Sequence, residues 1–218
     1  MDKVKKITFL VSGGGGNLKF FYYMRECLGR KNISLYVIAD RDCGALEFCK
    51  INGVEYRKIN YTQKRPEELR EELNRINPDI VVTNWHKIID PETVNLYKGR
   101  MVNLHYSLLP AFGGLIGIEP IEKAYSQGCK YIGPTCHLID EGVDSGLILS
   151  QAIFTTNRSL EDSIEMMFRK GCLTLLNGID LLVGKKSFDS FTDIRFSPQL
   201  SFDEKLFDES FWERVSGK

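Results

Sequence analysis

The sequence predicts an α/β fold, a doubly wound and mostly parallel sheet with an antiparallel C-terminal extension, and three observations carry that prediction. Over the first two thirds of the chain, short apolar runs alternate with amphipathic stretches, as a succession of βαβ units requires. Prolines at 66 and 91 fall where a first helical turn tolerates them. Beyond Leu104 the alternation stops, and two strand-like runs follow, joined by a short acidic turn.

In chain order, Ile7 to Val11 reads as the first strand and Asn17 to Leu28 as the helix that returns from it. Ser34 to Ala39, Glu55 to Ile59, Ile80 to Thr83 and Met101 to Leu104 are the next strands, with helices over Gly44 to Ile51, Pro66 to Ile76 and Pro91 to Tyr97 between them. A Gly- and Pro-containing loop, Tyr106 to Gly117, precedes a helix from Ile118 to Gln127. Tyr131 to Ile139 and Leu147 to Phe154 read as an antiparallel pair around the turn Asp140 to Gly146. Ser159, ahead of Leu160-Glu161-Asp162, places a carboxylate at the third position of a capping box. It opens a long helix in which Ile164, Met167, Phe168, Cys172, Leu175 and Leu176 recur at helical spacing. We divide the chain into a domain over residues 1–184 and a tail over 185–218. That tail carries Phe188, Phe191, Phe196, Phe202, Phe207, Phe211 and Trp212, and is expected to pack on the body or on a second subunit.

Composition narrows the function. With 29 Lys and Arg against 29 Asp and Glu, the 218-residue chain has a formal net charge of zero, which excludes nucleic-acid binding through bulk charge. No apolar run approaches the roughly 18 residues that span a bilayer, so a cytoplasmic protein is expected. The six cysteines include no CxxC pair and are expected to be reduced and buried.

Three clusters can carry chemistry. Ser12-Gly13-Gly14-Gly15-Gly16-Asn17 lies between the first strand and first helix, where backbone amides and a helix N-terminus form an anion site. A dinucleotide fingerprint beginning at Gly13 needs glycine where Leu18 stands, and a phosphate-binding P-loop needs Gly-Lys-Ser/Thr; both fail. Asp40, at the end of the second strand, is placed like a ribose-binding acid and keeps a nicotinamide-binding module open; a phosphate-binding module without catalysis and a plain tight turn that needs glycine for its backbone also stay open. The second cluster, Asn103 to Pro110, sits at the C-terminal end of a strand, where α/β sheets hold ligands. Residues two apart on a strand share a face, so Asn103 and His105 offer an amide and an imidazole to one locus, suited to a tetrahedral oxyanion or to anchoring a loop. The third is Thr135-Cys136-His137 followed by the acidic turn ending at Asp144, a histidine and a carboxylate whose types alone also fit structural and solvated roles.

Taken together, Ser12 to Leu18, Asn103-x-His105-x-Ser107-Leu108-Leu109-Pro110, and His137 with Asp144-Ser145-Gly146 resemble the glycinamide ribonucleotide formyltransferase family of folate-dependent enzymes. Asn84 to Pro91 is similar to that family's folate-binding segment, and the likeness runs from about Lys6 to Leu182. The resemblance implies transfer of a formyl group from the cosubstrate 10-formyltetrahydrofolate to a primary amine, without a metal. It implies glycinamide ribonucleotide as acceptor, in purine biosynthesis, ahead of an amino sugar on a nucleotide sugar. Asn103, His105 and Asp144 become the catalytic trio. His86, Lys87, Ile88 and Ile89, with Asp140, Glu141, Gly142 and Val143, become the pterin-binding backbone, and Gly14, Gly15, Gly16 and Asn17 hold the substrate phosphate. The implied partner is a small, phosphorylated amine; neither nucleic acid nor membrane is implied, and the chain is a monomer or homodimer. Three stretches depart from the family pattern: Tyr106 stands for a proline, Ala111 to Gly117 lack the usual Lys-x-Pro-Gly flavour, and Lys170, Gly171 and Cys172 lie where a substrate-contacting glutamate is expected.

Overall fold

The computed structural model describes residues 5–184, 195–197 and 200–217. The chain divides into two compact units, one running through Met101 and taking in the chain from Leu206, the other Val102–Lys205.

The first unit contains β1 (Lys5–Val11), α1 (Gly16–Cys27), β2 (Ile33–Ala39), α2 (Gly44–Asn52), β3 (Glu55–Lys58), α3 (Glu67–Ile76), β4 (Ile80–Asn84) and α4 (Pro91–Leu96). Its strands are parallel in the order β4-β1-β2-β3. That order reverses at β1, so right-handed crossovers put α1 and α2 on one face and α3 on the other, as the sequence predicts. The near-continuous burial of β1, β2 and β4 follows from coverage on both faces, whereas β3, at the edge, exposes all four of its residues. Val11 pairs with both Ala39 and Asn84, so three strands end level and their following loops share one rim.

From Val102 the second unit takes in the rest of β5 (Met101–His105), then α5 (Glu119–Ser126), β6 (Tyr131–Ile132), β7 (Thr135–Leu138), β8 (Ile148–Ala152), β9 (Phe154–Thr155), α6 (Leu160–Leu182) and β10 (Phe196–Ser197). Strands β5, β7, β8 and β10 pair antiparallel in sequence, and β6 pairs β9 in a separate two-stranded sheet. Each of the two long strands read from the sequence is therefore broken into two. Pro134, which has no N–H to donate, marks the break between β6 and β7. The Ser159 cap forms as read, its hydroxyl accepting from the Asp162 N–H at 3.0 Å.

Helix α7 (Glu209–Ser216) belongs to the first unit and packs on α1. Phe20 of α1 lies against Phe207, Phe211 and Trp212, its ring stacked on the Trp212 indole with centroids 5.7 Å apart. All four are buried. Phe188 and Phe191 lie outside the described residues. Truncating Phe20 or Trp212 to alanine should cost roughly 3–5 kcal/mol of stability, as removing large core aromatics does, and chemical denaturation measures it. All six cysteines are free thiols; Cys49, Cys136 and Cys172 are buried, but Cys27, Cys43 and Cys129 are half-buried, short of the burial expected for them.

Candidate active site

Asn103 and His105 are alternate residues of β5, and the antiparallel register sets Asn103 opposite His137 of β7. The turn between β7 and β8 then carries Asp144, in the left-handed region at φ 53°, back to these strands. Its carboxylate meets His105 Nδ1 at 3.2 Å and His137 Nε2 at 3.5 Å. Asn103 Nδ2 lies 3.5 Å from the same carboxylate and 3.4 Å from His137 Nε2. The Gly114 N–H donates to it at 2.8 Å. Three groups separated by up to 41 positions in sequence thus converge as expected, with His137 as an added fourth.

The electrostatics assign roles. The hydrogen bond with His137 lowers the Asp144 carboxyl; burial opposes it, and the Gly114 amide and the charges of both histidines bring it down to about 2. Asp144 is consequently a fixed negative charge rather than a proton acceptor near neutral pH. His105 has acceptors at both nitrogens, the carboxylate at Nδ1 and the Phe112 carbonyl at Nε2, 3.0 Å away. Each ring nitrogen is thus within reach of an oxygen acceptor. His137 donates from Nδ1 to its neighbour's carbonyl, Leu138 O, at 2.9 Å, which leaves Nε2 to face Asp144 and Asn103. Because the carboxyl is depressed in the folded state, its stabilising contribution is complete above the ordinary carboxylate range and disappears as pH falls toward 2. The stability difference between wild type and Asp144→Asn, followed by denaturation against pH, should be constant near neutrality and shrink only on that acid limb.

The loop after β5 is braced from β7 and β8. Thr135 Oγ1 accepts from the Leu109 N–H at 3.1 Å and donates to Ser107 O at 2.7 Å, while Gln151 Nε2 donates to Thr135 Oγ1 at 2.9 Å. The departures at Tyr106 and on α6 meet in space. A Cβ placed on Gly171 of α6 would lie 3.1 Å from both the Tyr106 ring and a Leu104 methyl, so Tyr106 takes the room that a side chain at 171 would use. Lys170 is engaged elsewhere, with Glu204 at 2.8 Å and over the Phe196 ring at 4.5 Å.

In the first unit, the glycine loop joins β1 to α1. Gly15 adopts φ 71° as the N-cap of α1, whose first turn carries no acidic residue and no side-chain cap. A Cβ on Gly15 would meet the Ala45 Cβ at 2.8 Å, whereas Gly13 and Gly14 face open space. Asn17 is buried and Gly16 begins the helix. Asp40, the candidate ribose acid, is turned inward. Its carboxylate is 1% exposed and held by Arg41 Nη2 at 2.8 Å and Lys87 Nζ at 3.5 Å, which leaves the nicotinamide reading without its acid. Of the segment expected to hold pterin backbone here, His86 and Ile88 are exposed, Lys87 is half-buried and Ile89 is buried. Of the corresponding segment in the second unit, Asp140, Glu141, Gly142 and Val143 are all exposed, and Asp140 Oδ1 closes the turn by accepting from Gly142 N and Ser145 Oγ at 3.1 and 2.8 Å. Among the described residues no group of three or more His, Cys, Asp or Glu is arranged to hold a metal ion, and no helix is long and apolar enough to cross a membrane.

Comparison with known proteins places the chain in a family. The chain is 32% identical over 158 residues to the chloroplastic phosphoribosylglycinamide formyltransferase of Arabidopsis thaliana, covering 68% of this chain and 54% of that one. It is 31% identical over 149 residues to the formyltetrahydrofolate deformylase of Haemophilus influenzae, covering 68% and 46%. The chain spans about half the length of these curated relatives. Among solved structures, glycinamide ribonucleotide transformylase 1 from Symbiobacterium toebii superposes with a TM-score of 0.75 at 27% identity, over 85% of this chain and 90% of that one. The sequence pattern of the formyl transferase family matches residues 5–171, more than half of the chain, and the chain belongs to that family.

Proposed function

We propose that the chain transfers a formyl group from 10-formyltetrahydrofolate to the primary amine of a phosphorylated small molecule, of which glycinamide ribonucleotide is the acceptor its relatives favour, in purine biosynthesis and in the cytoplasm. The observation that carries the reading is the contact of Asp144 with His105 Nδ1, which leaves the opposite edge, Nε2–H, as a donor for an oxyanion. As the amine attacks the formyl carbon, the carbonyl oxygen gains charge. Asn103 Nδ2–H and His105 Nε2–H are the donors for it, the latter exchanging the Phe112 carbonyl for the substrate oxygen. Collapse breaks the bond from the formyl carbon to N10 of the folate. The net result moves one proton from the amine to N10. Asp144 stays ionised throughout and pairs with His105 Nδ1, and the proton leaves the amine to water, which returns one to N10. Residues 86–89 and 140–143 offer backbone groups to the pterin, and each stretch presents an exposed apolar side chain, Ile88 at 64% and Val143 at 63%.

A hydrolytic reading, with water in place of the amine, is favoured by the 31% identity to a deformylase. The two differ in their need for a phosphorylated acceptor, and the glycine loop separates them. Gly14→Val puts its side chain into the open space over the loop and should raise the acceptor KM by about tenfold or more while leaving 5-formyltetrahydrofolate binding intact, as thermal shift would report. Gly15→Val should lower the melting temperature instead, because both its positive φ and the Ala45 contact oppose a side chain. A Gly14→Val enzyme with unchanged acceptor KM would remove the loop from substrate binding.

A further inference from the structure

Between β4 and α4 the chain has no regular structure, and residues 86–89 make no backbone–backbone hydrogen bond among the described residues. A segment without hydrogen bonds of its own takes its shape from what it leans on. Here that support is one residue, Tyr61, which follows β3 and is buried. Its ring stacks on the Trp85 indole, with centroids 4.9 Å apart and planes 25° from parallel. Its carbonyl oxygen accepts from Lys87 Nζ at 2.9 Å. Its hydroxyl accepts from the Asp90 N–H at 2.8 Å and has two acceptors for its single hydrogen, Ile88 O at 3.1 Å and the Asp90 carboxylate at 3.4 Å, of which the carbonyl is the nearer. Tyr61 therefore touches the segment at residues 85, 87, 88 and 90.

The residues it holds are anchored in turn. Asp90 is buried, and its carboxylate caps α4 by accepting from the Thr93 N–H at 3.0 Å, with Arg70 Nη2 at 3.7 Å. Lys87 reaches Asp40 with the same ammonium at 3.5 Å. Burial pushes the Tyr61 phenol up to about 12, so the hydroxyl keeps the proton it donates at any physiological pH. The contacts also sort the backbone of the segment. Tyr61 occupies Ile88 O and the Asp90 N–H, whereas the amides of residues 86–89 and the carbonyls of His86, Lys87 and Ile89 have no protein partner among the described residues. Main-chain groups left unpaired in a fixed frame are suited to a ligand edge that alternates donors and acceptors.

We propose that Tyr61 is a positioning residue for the folate: it fixes residues 86–89 before the ligand arrives and withdraws Ile88 O from the set of backbone groups that the pterin edge can pair with. The inference rests on the formyl-transfer reading for the identity of the ligand, whereas the ordering of the segment belongs to the first unit alone. A segment ordered in advance binds without the entropic cost of being ordered by the ligand, so the hydroxyl acts on affinity and not on the chemical step.

Tyr61→Phe keeps the ring on Trp85 and deletes the hydroxyl, leaving Ile88 O and the Asp90 N–H without their partner. Tyr97→Phe is the control. It removes another hydroxyl from a buried tyrosine of the same unit, one that donates to Asn74 Oδ1 at 3.2 Å and touches none of residues 85–90. Amide hydrogen exchange over residues 86–90 of the free protein, the dissociation constant of 5-formyltetrahydrofolate and steady-state kinetics are measured below the melting temperature of every variant. Tyr61→Phe should speed exchange over residues 86–90 and weaken 5-formyltetrahydrofolate by about tenfold, with kcat at saturating 10-formyltetrahydrofolate within about twofold of wild type. Tyr97→Phe should change neither the exchange nor the affinity. Unchanged exchange or unchanged affinity in Tyr61→Phe would overturn the inference, as would an equal loss of affinity in Tyr97→Phe. Faster exchange in Tyr61→Phe alone, with no folate binding even by the wild type, would uphold the ordering role of Tyr61 and remove the formyl-transfer reading instead.

Discussion

Asp144→Asn should reduce kcat by on the order of 10³-fold or more while leaving folate affinity within a few fold, because the change removes charge but not shape. The carboxylate meets both His105 and His137, and the amide that replaces it can accept from one while presenting an N–H to the other. His105 Nδ1 would then lose its carboxylate partner. Folate affinity should be spared, since the expected pterin contacts on this turn are backbone groups of residues 140–143, whose turn is closed by Asp140 and Ser145 rather than by Asp144. Steady-state kinetics together with a folate binding isotherm check this. A variant that kept near wild-type turnover would return Asp144 to the status of a turn carboxylate.

Asn103→Ala and His105→Ala should each lower kcat by about 10²-fold or more, the usual consequence of deleting one preorganised oxyanion donor. The double variant should cost less than the product of the two, because both donors serve one oxygen and share Asp144 as neighbour. Asn103→Ala should be the cleaner of the two. Removing the His105 ring also abandons the Phe112 carbonyl and unties the loop from 106 to 114, so its effect includes a conformational part. Comparing kcat with KM separates these: loss of a transition-state donor lowers kcat and kcat/KM together, whereas a disordered loop raises KM as well.

The alternating half of the chain was legible because βαβ units impose two periodicities and place their breakers at fixed points. Strand and helix boundaries from Lys5 to His105 lie within two residues of where the apolar runs put them. The antiparallel half was legible in type but not in extent. Tyr131 to Ile139 reads as one apolar run, yet its two ends pair with different strands, and only Pro134 within it hints at the break. The trio could be proposed from the shared face of Asn103 and His105 and from resemblance. His137 was visible as a residue but not as the group that most lowers Asp144, since its position opposite Asn103 depends on a register that no local pattern encodes. The inward turn of Asp40 was likewise hidden. A strand-end acid looks the same in sequence whether it faces a ribose or two cations from neighbouring loops. The need for glycine at 15 arises from Ala45, a residue 30 positions away, and so separates Gly15 from Gly14 only in three dimensions.

The measurement that bears most directly on the central claim is a transfer assay with 10-formyltetrahydrofolate and glycinamide ribonucleotide, following tetrahydrofolate by absorbance and the formylated amine by mass spectrometry. The proposed roles of Asn103, His105 and Asp144 predict one formylated amine per tetrahydrofolate released, with release dependent on the amine. Tetrahydrofolate and free formate appearing at the same rate with and without the amine would contradict transfer and assign the site to hydrolysis.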